Sequence, residues 1–199
     1  MNLREGDEVL DIGCGIGKDV INIAQLGAKI TGIDNDEEFI TLARENAKQI
    51  PNINFICCEA DQIPLQTNSI DKIRFDRTLQ HIGNHDAVLT ETNRLLKPGG
   101  LLIITEPDYL SWHLFLNDEN FEHKLMQYIA YGRFKNAHLV RKLSKALRKN
   151  GFELQSTEVF NYIITDFEFA NYIVDFVKIV KEGFSIGKFT SKVYCLNTW

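Results

Sequence analysis

Short apolar runs and amphipathic stretches succeed one another along the first half of the chain. The runs lie at residues 9–12, 28–34, 53–58, 70–76 and 101–106. Runs of this length that are rich in β-branched and aromatic residues predict buried strands, whereas apolar residues three and four positions apart predict helices. Repeated alternation of the two patterns is typical of βαβ units with right-handed crossovers. We therefore expect an α/β protein with three layers, in which helices cover both faces of a doubly wound, mostly parallel sheet.

Helical patterns fill most of the intervals between these strands. They cover residues 17–26, 36–49 and 85–95. Acidic residues open the second of these helices, where they suit the positive end of a helix dipole, and Gly27 closes the first. The Lys-Pro-Gly-Gly run at 97–100 predicts a turn before the fifth strand.

The regular alternation ends after Glu106. Residues 108–135 carry many aromatic side chains and predict one or two helices outside the sheet repeat. The remaining predicted elements are a helix over 138–150 closed by Gly151, an alternating strand over 152–160, a helix over 167–181 and a candidate last strand over 192–196.

The first strand runs directly into a glycine-rich turn. Asp11 is followed by glycines at every second position, Gly13, Gly15 and Gly17. Glycines let the backbone turn sharply and let a ligand approach without a Cβ in the way, and we expect Asp11 to be a buried acceptor for the amides of the turn. The dinucleotide fingerprint needs a glycine three residues after Gly15, where this chain has Lys18. The turn therefore predicts a cofactor site but favours a cofactor other than NAD.

Acidic residues also follow the next three strands. Asp34 ends the second strand, Asp61 follows the third and Asp76 ends the fourth. The carboxyl ends of strands in an open parallel sheet form the crevice where ligands bind. There Asp34 can accept the hydroxyls of a ribose, and Asp61 can accept a hydrogen bond from the amino group of a base. Carboxylates around one cleft also suit a cationic ligand better than a pyrophosphate.

Together these motifs resemble those of class I S-adenosylmethionine-dependent methyltransferases. The resemblance covers residue 7 to about residue 108 and, more weakly, 139–160. The stretches 76–82 and 106–108 are similar to a bacterial small-molecule branch of the ubiquinone/menaquinone type. The segments that carry the resemblance are Val-Leu-Asp-Ile-Gly-Cys-Gly-Ile-Gly at 9–17, Gly-Ile-Asp at 32–34, Glu-Ala-Asp at 59–61 and Leu-Lys-Pro-Gly-Gly at 96–100.

The resemblance implies a fold, a cofactor and a set of contacts. The implied strand order is 3-2-1-4-5-7-6, with strand seven antiparallel, in a single domain over residues 1–199. A helical insertion on the substrate side is expected at about 109–137, and S-adenosylmethionine is the implied cofactor, with no metal. The implied cofactor contacts are Asp11, Gly13, Cys14, Gly15, Gly17, Asp34, Asn35, Asp61, Gln62, Ile63, Asp76 and Arg77.

Within that set the resemblance implies a role for each part. The amides of the glycine turn would hold the methionine end of the cofactor, and Asp34 would bind its ribose. Asp61 and Gln62 would meet the amino edge of the adenine, while Asn35 and Ile63 would flank its ring.

Catalytic residues are harder to name, because methyl transfer depends mainly on holding the reactants in line. Three candidates each have two open interpretations. His81 is either a general base or substrate-orienting donor, or a loop or helix-capping histidine. Arg77 either anchors an acidic group of the substrate or the methionine carboxylate, or forms a salt bridge to Asp76 or Asp71. Tyr109 either walls the acceptor pocket or belongs to an aromatic core.

Composition narrows the class of partner. A net charge of −5 disfavours a broad nucleic-acid surface, and no apolar run reaches the roughly 20 residues of a membrane span. The four cysteines form no zinc pattern and favour a reducing, cytoplasmic setting. We expect a small-molecule methyl acceptor as partner, with monomer and homodimer both open.

The pattern as a whole predicts an S-adenosylmethionine-dependent methyltransferase that acts on an O, N or C nucleophile of a small organic molecule. Two alternatives stay open: an NAD(P)-dependent oxidoreductase, and a non-catalytic S-adenosylmethionine-binding or regulatory remnant. One observation supports the remnant: methyltransferases of the family that the chain resembles usually carry a helical cap before strand one, whereas here the first strand begins at residue 9. We therefore expect either a chain without that cap or part of a longer protein. Methylation of tRNA or protein is a weaker option that the acidic balance disfavours.

Overall fold

The five apolar runs form one parallel sheet. The computed structural model describes residues 1–133 and 136–188. Within those residues the strand order is β3-β2-β1-β4-β5, and every neighbouring pair is parallel, which confirms the doubly wound sheet. The order reverses between β1 and β4, where the crevice of such a sheet forms. The strands are β1 (Glu8–Ile12), β2 (Lys29–Asp34), β3 (Ile53–Cys57), β4 (Ile70–Asp76) and β5 (Leu96–Thr105).

Helices cover both faces of this sheet, so the three predicted layers are present. Side chains alternate along β1, with Val9 packed among residues of α1 and α2 and Leu10 packed on the opposite face with α3. The helices are α1 (Lys18–Ala24), α2 (Glu37–Asn46), α3 (His85–Leu95), α4 (Glu119–Tyr128), α5 (Val140–Lys149), α6 (Phe167–Val174) and α7 (Phe176–Ser185). Short 3-10 turns lie at Leu79–His81 and Tyr109–Ser111, and a π turn at Ile129–Arg133 follows α4.

The predicted turn at 97–100 is a bulge within β5. Ile70 pairs with Leu96, and Lys72 pairs with Leu101, so four residues of β5 stand opposite one residue of β4. The inserted Lys97 donates to a carboxylate oxygen of Asp71 at 2.7 Å. The chain thus turns outward and then rejoins the same strand pairing.

The strand predicted over 152–160 is wrong. The segment forms no strand, and Val159 and Phe160 are 79% and 68% exposed. The reason lies at the preceding helix end, where Gly151 at φ +85° closes α5. The amide of Phe152 donates to Leu147 O at 3.0 Å, and its ring packs beside Leu147, as in a Schellman cap. The alternating pattern predicted a strand, but Phe152, the first apolar residue of that pattern, belongs to the C-terminal cap of α5.

The helix predicted over 167–181 is two helices. Asp175 separates α6 from α7 and lies in the left-handed region at φ +54°. Its carboxylate accepts the amide of Lys178 and so caps α7. α7 then packs its buried Ile179 in one cluster with Tyr109, Phe121 and Tyr128.

The candidate last strand at 192–196 lies outside the described residues. Among the residues described, no helix has the length and apolar character needed to cross a membrane. The same part of the chain contains no group of three or more histidine, cysteine or acidic side chains that could hold a metal ion.

Candidate functional site

The glycine turn between β1 and α1 is fastened to the end of β2. The amides of Gly13 and Cys14 both donate to Ile33 O, at 2.8 and 2.9 Å. The amide of Gly17 donates back to Cys14 O at 3.0 Å. Three of the amides that the resemblance assigned to the cofactor are therefore already bonded within the protein.

Gly15 forms the open tip of this turn. It lies at φ +51°, and a Cβ built on it would meet no atom within 4 Å. Its amide donates to Asp34 Oδ2 at 2.9 Å, and Asp34 Oδ1 accepts the amide of Asp36 at 3.1 Å. Each carboxylate oxygen still has a lone pair for a ligand hydroxyl. The tip thus offers a cradle that a side chain would fill, beside a fixed carboxylate, and this fits a ribose-containing cofactor.

The thiol of Cys14 lies beneath this tip. Burial raises its pKa to about 12, and the nearby carboxylates of Asp11 and Asp34 add to the shift. The thiol therefore carries its proton at neutral pH and is a packing group at the turn rather than a nucleophile.

The loop after β3 holds the residues assigned to the adenine. Asp61 and Gln62 are exposed, whereas Ile63 is only 3% exposed and packs in the core. The side chain of Ile63 therefore supports the loop from below, and its contact with the adenine ring stays a prediction. On the other side, Asn35 is exposed and its amide nitrogen donates to Glu59 Oε1 at 3.2 Å.

Helix α3 holds this loop in place with two charged side chains. Glu91 Oε1 accepts the amide of Ile63 at 3.0 Å. Arg94 donates to Ile63 O at 3.1 Å and to Leu65 O at 3.0 Å. Arg94 also pairs with Glu91, and this hydrogen bond lowers the pKa of the Glu91 carboxyl. The loop is thereby fixed although it has no regular secondary structure.

Asp11 is buried as expected, but its hydrogen-bond donor differs from the expected one. The donor is Arg74 on β4, whose Nη1 lies 2.9 Å from Asp11 Oδ1, and not an amide of the glycine turn. Arg74 Nη2 also donates to Asp19 at 2.8 Å and to Asp76 at 3.0 Å. Burial raises the pKa of the Asp11 carboxyl to about 6, with Arg74 opposing the shift. Arg74 carries one positive charge against the three carboxylates of Asp11, Asp19 and Asp76, so it offsets this cluster only in part.

The loop after β4 is held by the end of β5. The amide of Arg77, at φ +54°, donates to Thr105 O at 2.8 Å. Glu106 Oε1 accepts the amides of Thr78 and Leu79, at 2.8 and 2.6 Å. Burial raises the pKa of Glu106 to about 7, with these amides opposing the shift, and its Oε2 is buried without a protein partner among the described residues. Glu106 therefore caps the 3-10 turn that carries His81.

The three catalytic candidates occupy different environments. His81 and Arg77 are exposed, and Arg77 lies 3.6 Å from Asp76, a loose pair. Tyr109 is 5% exposed, and its ring centroid lies 4.7 Å from that of Trp112. The structure thus places Tyr109 among buried aromatic residues, whereas His81 and Arg77 are exposed in the segment that follows β4, and their catalytic roles stay predictions.

Sequence reasoning missed Arg74 and Glu106. The signal for Arg74 was present, because a cation in the middle of a strand between two acids is unusual for a buried parallel strand. Glu106 was noted only as part of the 106–108 stretch that carries the resemblance, and its capping role gave no signal: its partners lie 28 and 27 residues away, and only the fold brings them together.

Comparison with known proteins fits this geometry. A family model described as a methyltransferase domain matches residues 3–152. An uncharacterized 37.1 kDa protein in transposon TN4556 of Streptomyces fradiae is 26% identical over 190 residues, which are 94% of this chain and 55% of that protein. The demethylmenaquinone methyltransferase of Tropheryma whipplei is 34% identical over 106 residues, which are 53% of this chain and 44% of that protein.

A solved structure extends the likeness in fold. Phosphoethanolamine N-methyltransferase 2 of Haemonchus contortus, in complex with S-adenosyl-L-methionine, matches with a TM-score of 0.64 and 22% identity. The match covers 95% of this chain and 42% of that one, and the chain spans about half the length of the curated relatives it matches. With the family match over most of its length, the chain belongs to the methyltransferase domain family.

Proposed function

We propose that this protein binds S-adenosylmethionine at the glycine turn and transfers a methyl group to an O, N or C nucleophile of a small organic molecule. The observation that carries the proposal is the Gly15 tip, which is open at its Cβ position and bonded through its amide to Asp34. A nucleoside cofactor needs both an approach free of side chains and a carboxylate for its ribose. The name of the demethylmenaquinone methyltransferase relative, which states a small organic acceptor, supports the acceptor class.

In this proposal the cofactor lies across the carboxyl ends of β1, β2 and β3. Asp34 accepts hydrogen bonds from the ribose, and Asn35 lies beside the base. Asp61 and Gln62, both exposed on the loop that α3 fixes, meet the amino edge of the adenine. The backbone around Gly15 faces the methionine end.

The remaining chemistry is mostly positioning. When bound, S-adenosylmethionine supplies an electrophilic methyl group on a sulfonium. The protein must then hold the acceptor in line with that methyl group and keep water out. Arg77 orients an acidic group of the acceptor, and His81 takes a proton from an acceptor that is a poor nucleophile.

The first test is titration calorimetry with S-adenosylmethionine and its demethylated product. We expect both to bind, and we expect Gly15→Ala to abolish binding because a Cβ fills the tip and the backbone is strained there. Gly83→Ala is the matched control, since Gly83 has no positive φ and open space around it. If neither compound binds the wild-type protein, the proposal is wrong.

The second test is turnover on a panel of phenols, quinols and amines with labelled S-adenosylmethionine. Methyl transfer to any member supports the proposed activity. Binding of the cofactor without transfer across the panel favours the non-catalytic alternative. Binding of NADH in place of S-adenosylmethionine favours the oxidoreductase.

A further inference from the structure

One guanidinium joins the two ends of the glycine turn. Asp11 precedes the turn on β1, and Asp19 follows it in the first turn of α1. Arg74 donates from Nη1 to Asp11 and from Nη2 to Asp19, at 2.9 and 2.8 Å. The chain between the two aspartates contains the whole Gly13–Gly17 turn, so its ends are tied through a single side chain of the neighbouring strand.

The position of Arg74 follows from strand register. Asp11 and Arg74 are directly paired in the parallel ladder of β1 and β4, so their side chains lie on the same face of the sheet. The side chain of Asp11 is 3% exposed and that of Arg74 is 17% exposed. Buried charges of this kind must be paired, so the geometry of the pair is strongly constrained.

An arginine suits this position better than a lysine. The guanidinium is planar and presents several donors in a fixed arrangement, so it can bind two carboxylates at a defined separation. A third carboxylate, Asp76 at the end of β4, accepts from the same Nη2 at 3.0 Å. Arg74 therefore relates the two ends of the turn to the strand end where the acceptor is proposed to lie.

We infer that Arg74 is a positioning residue for cofactor binding: it holds the glycine turn in its receptive conformation by fixing Asp11 and Asp19 together. The inference rests on the proposed function, since it assigns Arg74 to the binding of S-adenosylmethionine at this turn. Arg74 acts through the turn and does not itself touch the cofactor. Removing it lets the tip around Gly15 move and lowers the fraction of molecules ready to bind.

The same strand provides a matched control. Lys72 lies two residues before Arg74 on the same face, and it forms a buried ion pair with Asp7 towards the other end of the sheet. Lys72→Met removes a buried cation and leaves Asp7 without its partner. Arg74→Met also removes a buried cation and leaves Asp11 and Asp19 without theirs. Both variants therefore lose stability, but only Arg74→Met releases the glycine turn.

The experiment compares Arg74→Met, Arg74→Lys, Asp19→Asn and Lys72→Met. Calorimetry gives the dissociation constant for S-adenosylmethionine, thermal unfolding gives stability, and hydrogen exchange reports the amides of residues 13–18. We expect Arg74→Met to weaken binding by about tenfold or more and to speed exchange in the turn, because two of the three charge-assisted hydrogen bonds that it removes tie the ends of the turn. Lys72→Met should lose comparable stability with binding within about twofold of wild type.

Two milder variants, Arg74→Lys and Asp19→Asn, keep the test decisive if Arg74→Met does not fold. Asp19 is 44% exposed, so Asp19→Asn removes one arm of the clamp at little cost to folding, and it should weaken binding by several-fold. Arg74→Lys keeps the charge and should restore part of the loss. Unchanged binding and turn exchange in Arg74→Lys and Asp19→Asn would overturn the inference. If the wild-type protein binds no S-adenosylmethionine, the proposed function fails, while turn exchange still decides whether Arg74 acts as a clamp.

Discussion

Thr78 lies against the α-carbon of Gly13. A Cβ built on Gly13 would fall 2.4 Å from both Oγ1 and Cγ2 of Thr78. Thr78 cannot easily withdraw, because Glu106 accepts its amide and its hydroxyl donates to Asp76 O at 3.1 Å. The glycine turn and the loop after β4 therefore meet with no room for a methyl group between them.

This contact predicts that Gly13→Ala is strongly destabilising. Gly13 lies at φ +78°, so alanine is strained there by about 1–3 kcal/mol before the clash with Thr78 is counted. Urea unfolding should show a fall in the free energy of unfolding of at least that size, together with loss of cofactor binding. Gly83→Ala should change the free energy of unfolding by less than about 0.5 kcal/mol. Equal urea midpoints for Gly13→Ala and Gly83→Ala would contradict the predicted clash with Thr78.

Asp34→Asn should weaken S-adenosylmethionine binding by about tenfold or more. Both carboxylate oxygens accept backbone amides, so the amide group of asparagine turns a donor towards either Gly15 or Asp36. Calorimetry measures the change. Asp36→Ala is the control: it removes the cap of α2, which accepts the amide of Glu38 at 2.8 Å, and should cost about 1 kcal/mol of stability without a change in affinity. Wild-type affinity in Asp34→Asn would rule out the role given to this carboxylate.

Arg94→Met should loosen the loop that carries Asp61 and Gln62. Arg94 donates to two carbonyls of that loop, at Ile63 and Leu65, so its loss should speed amide exchange there. We expect the dissociation constant for S-adenosylmethionine to rise by about three- to tenfold. Each hydrogen bond to a charged group contributes about 1.5–3 kcal/mol to the local stability of the loop, and relaxation of the loop recovers part of that free energy when the bonds are lost.

The control for that variant is Arg44→Met. Arg44 also donates to a backbone carbonyl, Phe55 O at 3.1 Å, but it lies on α2, outside the loop after β3. Exchange in the loop and the affinity should both stay close to wild type in Arg44→Met. An equal response of the two variants would show that general destabilisation, and not the loop, accounts for the change.

Glu106 predicts a pH dependence of stability. Its folded pKa is raised from 4.5 to about 7, so between these values the folded state binds the proton more tightly than the unfolded state. Stability should therefore fall as pH rises from about 4.5 to about 7. Asp11, whose pKa is raised to about 6, adds to the fall only in the lower part of this range.

Glu106→Gln isolates this contribution. Glutamine keeps a carbonyl oxygen for the amides of Thr78 and Leu79 but does not titrate, so the fall in stability between about pH 6 and 7 should flatten. The measurement is the urea midpoint at intervals of half a pH unit. Glu45→Gln, at an exposed position on α2, should follow the wild-type curve. A Glu106→Gln curve parallel to wild type across that interval would be evidence against the buried, protonated carboxyl.

The part of the fold that the sequence predicted well is the part where local pattern and burial agree. β4 and α3 were predicted with the bounds that the structure has, because their apolar spacing matches the faces they bury. The segment at 152–160 also alternates, yet alternation gives only the spacing of side chains and not a partner strand. The helix over 167–181 kept its periodicity across Asp175, whose left-handed backbone no apolar pattern reveals.

The candidate site also has parts that the sequence predicted and parts that it did not. Strand-end acids and the glycine turn were predictable because each follows its strand directly in sequence. Ile63 was assigned to a ligand contact by position and Tyr109 was left open between pocket wall and core, because the burial of both depends on packing with distant residues. Arg74 reaches Asp11 across 63 residues, and such a pairing is fixed only by the register of two strands.

The two buried cations of β4 have a consequence for assembly of the sheet. In the native pairing Lys72 stands opposite Val9 and Arg74 opposite Asp11, and both charges point to the face where their carboxylates lie. A slip of one residue between β1 and β4 would turn both cations to the other face and leave Asp7 and Asp11 without them. The cost of burying those unpaired charges penalises the mispaired strand during folding, so the two cations of β4 select the correct alignment of the two central strands.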